Sequence, residues 1–156
     1  MNSIVVREIL PSELALLASL YGECFADSYP EPATYSLLRT PGAWCHIAFG
    51  DVDDTPLGFS IGRAILDEAE LLSIGALTSA RRRGVATALL QANFISAQCM
   101  GARMIHLEVG EDNPGAVLLY RKLGFRMTGR RENYYLRANR RRVAAILMTA
   151  ELSDEN

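Results

Sequence analysis

The hydrophobic positions of this 156-residue chain change period several times, and each change marks an element. Ile4 to Ile9 reads as a first strand. Pro11 suits the opening turn of a helix, and Leu14, Leu17 and Tyr21 keep one apolar face as far as about Ala26. Asp27 to Pro41 holds three prolines and several turn formers, with room for one short helix from Thr34 to Arg39. Trp44 to Phe49, the polar turn Gly50-Asp51-Val52-Asp53-Asp54 and Leu57 to Leu66 then make an antiparallel hairpin. Ala69 to Leu77 follows as another strand.

Beyond it the period becomes helical: Val85, Ala88, Leu89, Ala92, Ile95 and Cys99 recur until Gly101 stops the run. Met104 to Val109 is a short strand. Asn113-Pro114 supplies an N-cap and a first-turn proline for a compact helix with Ala116, Val117, Tyr120 and Leu123, ended by Gly124. Phe125 to Thr128 and Val143 to Thr149 are the last two strands, separated by an arginine-rich connection. The order βααβββαβαββ predicts a mixed α/β sheet in one layered domain over residues 1–152, with a short polar tail at 153–156.

Composition narrows the class. Apolar residues make up 49% and charged residues 22%, an ordinary globular balance. Net charge is −2, but residues 1–80 carry 3 basic and 11 acidic side chains against 13 and 7 in residues 81–156. That polarity fits an anionic ligand held by the second half and a basic partner drawn to the first, although uneven surface decoration would give the same count. The odd set Cys24, Cys45 and Cys99 argues against a disulfide framework and for buried free thiols. There is no cationic leader and no apolar run long enough for a bilayer, so the chain reads as cytoplasmic, with no membrane partner. No His, Cys, Asp and Glu set has metal-ligand spacing, and no metal is expected.

The densest chemistry lies at Arg81-Arg82-Arg83-Gly84-Val85-Ala86, a strand-to-helix turn. The first helical turn leaves backbone N–H groups without partners and carries the positive end of the helix dipole. Gly84 and Ala86 let a ligand approach the main chain, so the turn suits a phosphate or pyrophosphate. In isolation an arginine run at a helix start is as readily a solvated face. The spacing is neither Gly-x-Gly-x-x-Gly nor a P-loop.

This hexamer has the form [Arg/Gln]-x-x-Gly-x-[Gly/Ala], and in that it resembles the acetyl-coenzyme A signature of the GNAT N-acetyltransferases. The segments that follow are similar to the same family in order: Ile105-His106-Leu107-Glu108-Val109, Asn113-Pro114-Gly115-Ala116, Leu119-Tyr120-Arg121-Lys122-Leu123-Gly124-Phe125 and Arg130-Arg131-Glu132-Asn133-Tyr134-Tyr135. Together with Leu66 to Ile74 they resemble its ribosomal-protein alanine N-acetyltransferase (RimI-type) branch, from about residue 57 to 135. The resemblance implies a single-domain GNAT fold with splayed central strands, acetyl-CoA as cosubstrate, and transfer of its acetyl group to an amine by direct attack.

Carried over by motif position, the resemblance makes Glu108 the base and Tyr120 the acid. A base is needed because only a neutral amine attacks, and an acid because the departing thiolate needs a proton. A phenol and a thiol lie within about two pKa units of each other. His106 shares strand parity with Glu108 and is the rival base, against a structural reading as a satisfied histidine. The resemblance further implies main-chain contacts from Ile74, Gly75 and Ala76 to the pantetheine arm, with an N–H near Ala76 or Leu77 on the thioester carbonyl. It also implies that Arg82, Arg83, Gly84, Val85, Ala86 and Thr87 surround the pyrophosphate and that Asn113, which can also cap its helix, contacts the cofactor.

The acceptor is less legible. The branch carries a Pro-Trp element after its first helix where this chain has Phe25-Ala26-Asp27-Ser28-Tyr29-Pro30. Likewise Gly75-Ala76-Leu77-Thr78-Ser79 replaces its Ala-Val-Asp-Pro type sequence. Asp27, Glu31, Asp67, Glu68 and Glu70 could draw a basic peptide, with Tyr29, Tyr134 and Tyr135 along its path; a basic protein N-terminus, a ribosomal protein among the candidates, is the expected partner. Acetylation of a small-molecule amine and a non-catalytic acyl-CoA-binding module are the competing readings. Nucleic-acid binding through Arg130, Arg131, Arg137 and Arg140 to Arg142 ranks last, because no aromatic platform or helix-turn-helix accompanies them.

Overall fold

The computed structural model describes residues 3–25, 36, 38–137 and 139–153. Seven strands form one sheet in the order β1-β2-β3-β4-β5-β7-β6. They are β1 (Ile4–Glu8), β2 (Ala43–Gly50), β3 (Pro56–Ile65), β4 (Glu68–Ala76), β5 (Met104–Gly110), β6 (Arg126–Leu136) and β7 (Arg142–Glu151). All neighbours are antiparallel except β4 and β5. Among the described residues three α-helices of more than two turns flank the sheet: α1 (Leu14–Cys24), α2 (Val85–Cys99) and α3 (Pro114–Lys122).

Strand β2 shows why two layers of helix are needed. It is buried on both faces, so its alternate residues serve different cores. Cys45, Ile47 and Phe49 pack with Leu17, Leu20 and Tyr21 of α1, while Trp44 and Ala48 join the clusters built on α2. Helix α3 lies on the α2 side, where Phe94 and Phe125 stack at 5.8 Å between ring centres. Among the described residues no helix covers the other face of β5, β7 and β6. That open face becomes the site.

Some expectations change in the structure. The first helix begins as a 3-10 turn at Pro11–Glu13, because Glu13 bonds back to the Leu10 N–H and to Arg7. The segment expected as a helix from Thr34 to Arg39 lies mostly outside the described residues, as do Ala26, Asp27, Tyr29 and Glu31. On α2 the core face is Val85, Leu89, Leu90, Asn93 and Ala97; Ile95 and Cys99 are exposed, so Cys99 is not a buried thiol. The arginine-rich connection after Thr128 is strand, not loop. Strand β6 continues to Leu136 as the sheet edge, with irregular pairing at Met127/Gly129 and Arg131/Tyr135.

A buried polar chain ties α2 to the sheet. Trp44 Nε1 donates to Asn93 Oδ1 (2.8 Å), and Asn93 Nδ2 donates to Ser60 Oγ and the Leu89 carbonyl (2.7 Å each). Beside it His46 Nε2 meets Ser96 Oγ at 3.2 Å, while its buried Nδ1 has no partner. Burial lowers the His46 pKa, against a smaller opposing effect of Glu8 across the β1–β2 pair. A depressed histidine binds fewer protons folded than unfolded, so stability is complete above about pH 6.5 and falls as pH drops below it. Thermal melts between pH 7.5 and 5 should therefore show a midpoint falling with pH, and a flatter slope in His46→Gln. Equal slopes in both proteins would remove His46 as the cause.

Candidate active site

The parallel seam between β4 and β5 joins only three residue pairs: Glu68 with Met104, Ala69 with Ile105 and Glu70 with His106. Beyond it β4 follows β3 to Ala76 while β5 follows β7 to Gly110, so the two strands diverge. Leu72 is the extra residue of a β-bulge, since Leu71 and Ser73 oppose the successive residues Gly62 and Ile61. Leu77 N–H donates to the Leu57 carbonyl at 2.9 Å. By the antiparallel alternation Gly75 and Ser73 also bond toward β3, and the N–H and C=O groups of Ile74 and Ala76 face the open wedge. The Leu77 amide expected at the thioester is thus already engaged.

The turn at the end of this strand is held by its flanks. Ala80 and Val85 are buried, whereas Arg81 to Gly84 are exposed. Arg82 (φ 64°) and Gly84 (φ 82°) both take left-handed backbone, which folds the chain sharply into α2. Gly84 is the N-cap and no side chain caps the helix. Its carbonyl accepts the first helical bond from Ala88, so the N–H groups of Val85, Ala86 and Thr87 have no partner within the helix. A Cβ placed on Gly84 would meet nothing within 4 Å. Among the described residues no carboxylate pairs with Arg81, Arg82 or Arg83. Exposed main-chain donors, guanidinium groups outside any salt bridge and open space together fit a pyrophosphate.

A cavity of about 1180 Å³ occupies the wedge and the open sheet face. It brings together Ile74, Glu108 and Tyr120 of the expected residues, from β4, β5 and α3. Gly75, Ala76, Asn113 and the turn from Arg82 to Thr87 do not line it. Tyr134 and Tyr135 stand on its wall as expected, packed edge-on at 5.0 Å. The sequence reading missed Tyr21, Leu72 and Arg137 on the walls, and gave Phe25 only as the start of the segment that stands where the branch has its Pro-Trp element. Tyr21 read as ordinary core of an amphipathic helix, and Arg137 as part of a loop.

Glu108 is partly exposed, and its Oε1 lies 3.5 Å from Arg131 Nη2, a partner that no sequence spacing indicated. His106 is held at both ring nitrogens: Nδ1 is 2.8 Å from Thr149 Oγ1 and Nε2 is 3.5 Å from Glu68. Tyr120 is only 7% exposed and sits edge-on to Phe125 at 5.7 Å. Burial, with a smaller effect of Tyr135, pushes its phenol up to about 12. It therefore keeps its proton throughout the neutral range, and its distance from a thiol's pKa exceeds the sequence-based expectation. Asn113 Oδ1 accepts from Ala116 N–H at 3.2 Å and so caps α3. Among the described residues no group of three His, Cys, Asp or Glu side chains could hold a metal.

Residues 14–125 match the acetyltransferase (GNAT) family. The chain belongs to that family. This GNAT acetyltransferase is 36% identical over 83 residues to the ribosomal protein bS18-alanine N-acetyltransferase of Salmonella typhimurium, a stretch covering 53% of the chain and 56% of that relative. It is 30% identical over 118 residues to the bS18-alanine enzyme of Haemophilus ducreyi, covering 75% of the chain and 81% of the relative. In structure it resembles the ribosomal-protein-S18-alanine N-acetyltransferase from Escherichia coli, with a TM-score of 0.87 and 24% identity over 99% of this chain and 97% of that one. The last likeness concerns the fold. Acetyl-CoA is the cosubstrate of the GNAT family, and the wedge, exposed β4 edge and helix turn of this acetyltransferase fit it. Among the described residues no helix is long and apolar enough to cross a membrane.

Proposed function

We propose that this acetyltransferase transfers the acetyl group of acetyl-CoA to the N-terminal amine of a protein by direct attack. The observation that supports it best is the cavity that gathers Glu108, Tyr120 and the open main chain of Ile74 at one splayed seam. In this reading the turn from Arg82 to Thr87 holds the pyrophosphate, with Asn113 bordering the cofactor. Ala76 and Ile74 then bond the pantetheine arm as a missing strand would, and Gly75 keeps the strand close-packed beneath. A Cβ on Gly75 would press on Cys24 and Phe59. The arm runs back from the turn along β4, so the Ile74 N–H, deeper in the wedge, polarises the thioester carbonyl.

Glu108 takes a proton from the acceptor amine, directly or through water, and Tyr120 protonates the departing thiolate. His106, held by Thr149 and Glu68, orients the cavity floor rather than acting as base. Glu70 and Glu108 on the cavity wall, paired with Arg63 and Arg131, and Glu68 beside His106 offer carboxylates to a cationic amine. The named activity of the bS18 relatives supports a protein acceptor, and a basic leading segment such as a ribosomal protein offers is the partner this floor suits.

Glu108→Gln should lower turnover about 10²- to 10³-fold near pH 7. Part of the loss should return at higher pH, because an α-amine with a pKa near 8 then arrives neutral. Acetylated peptides read by mass spectrometry decide the acceptor: a free α-amine should be modified and an N-blocked peptide with an internal lysine should not. Label found mainly on lysine side chains or on small amines would overturn the N-terminal reading.

A further inference from the structure

A second cavity, of about 390 Å³, lies at the turn between β6 and β7. It shares Arg137 with the reaction cavity, so the two spaces adjoin. Arg137 is fixed in place. Its Nε and Nη2 donate to the two oxygens of Asp112 (2.8 Å each), and its guanidinium lies 4.9 Å from the centre of the Tyr135 ring. A Cβ at Gly110 would press on the ends of the Arg137 and Asp112 side chains, which would have to shift to admit it.

The charges of the second cavity do not cancel. Its three carboxylates are all engaged: Glu111 and Glu132 with Arg130 (2.8 Å each) and Asp112 with Arg137. Arg141 and Arg142 line the same space, both exposed, and among the described residues neither is in salt-bridge contact with a carboxylate, although Arg141 lies near enough to Asp112 to help lower its pKa. Arg142 spends one N–H on the Asn133 carbonyl at 3.3 Å and keeps the rest of its fork. Two guanidinium groups with spare donors beside neutralised acids form a wall that recognises a carboxylate.

We propose that this cavity is a subsite for an acidic side chain of the acceptor polypeptide, several residues beyond its amine, read by Arg141 and Arg142. The proposal rests on the N-terminal reading above and makes the acceptor bipolar. Its cationic end meets the carboxylate floor around Glu108, the extended chain crosses Arg137 at about 3.3 Å per residue, and an anion follows.

The test uses synthetic peptides with one common N-terminal tripeptide, alone or extended by alanines carrying Glu, Ala or Lys at one of positions four to seven. With the parent enzyme the best-placed Glu peptide should show a KM about three- to tenfold below its Ala counterpart, and the Lys peptide a higher one. In the Arg141→Ser/Arg142→Ser double variant the three should converge, while kcat and KM for the tripeptide stay unchanged. A thermal melt confirms that the variant folds. Equal losses for tripeptide and long peptides, no discrimination by the parent enzyme, or preference for Lys would each overturn the subsite. Peptides indifferent to charge, with a short RNA bound through the same arginines, would reassign the cavity to a polynucleotide. If even the tripeptide is not acetylated while small amines are, the N-terminal reading itself fails, a result separable from failure of the subsite alone.

Discussion

Tyr120→Phe is expected to bind acetyl-CoA as the parent enzyme does and to turn over about 10²- to 10⁴-fold more slowly, the range a positioned general acid contributes. The ring is nearly enclosed and packs against Phe125, and phenylalanine preserves both features. Only the hydroxyl disappears. Because burial raises that hydroxyl to about 12, the acid form persists at every working pH, and no alkaline fall in rate below that value should arise from it. A phenol so weak is a poor donor to a finished thiolate, so in the proposed mechanism its donation would accompany C–S cleavage and the oxygen would be reprotonated within the turnover. Single-turnover kinetics isolate this step from product release. An unchanged chemical rate would remove Tyr120 from the mechanism, and an equal loss of cosubstrate affinity would make it a binding residue instead.

The second large effect is expected at Gly84. Aspartate there tolerates the left-handed backbone better than most residues, and its side chain enters open space, so the domain should fold. Its carboxylate would face the region where Val85, Ala86 and Thr87 present their amides. Losing charge-assisted bonds and adding like-charge repulsion should weaken acetyl-CoA binding about 100-fold or more. Gly84→Asn is the control, since it has nearly the same shape and backbone demand without the charge. Calorimetry on both variants separates electrostatics from strain. Parent-like affinity in a folded Gly84→Asp protein would move the pyrophosphate elsewhere.

The elements legible in the sequence were those with one dominant period. The β2–β3 hairpin, β4, α2, β5 and α3 announce themselves by alternation, by helical recurrence and by Gly101, Pro114 and Gly124 at their ends. Strand β6 did not, for a physical reason. It lies on the sheet edge with nearly every residue exposed, so no apolar alternation is required of it, and its irregular pairing shifts the parity twice. Arg130 to Tyr135 therefore look like loop residues. The candidate site was legible only piecewise. The turn at Gly84 follows from local chemistry, but nothing in the chain says that Glu108 and Tyr120 reach one cavity; the resemblance alone implied that meeting. Which amides of β4 stay free depended on its register with β3, a long-range property that separates Ala76 from Leu77. Arg131 beside Glu108 depends in turn on the unforeseen strand β6.

The short β4–β5 seam bears on how long the protein survives. Along the sheet itself three residue pairs and the bond from Arg103 N–H to the Asp67 carbonyl join the four N-terminal strands to the three C-terminal ones, above a core cluster that both parts share. A cosubstrate laid along the gap would bridge both parts, and a ligand that binds only the folded chain at a hundredfold excess over its Kd adds about 2.7 kcal/mol of stability. The folded fraction would then rise when acetyl-CoA is plentiful and fall when it is scarce. The cellular abundance of this enzyme would thus follow the metabolic state that supplies its acetyl donor.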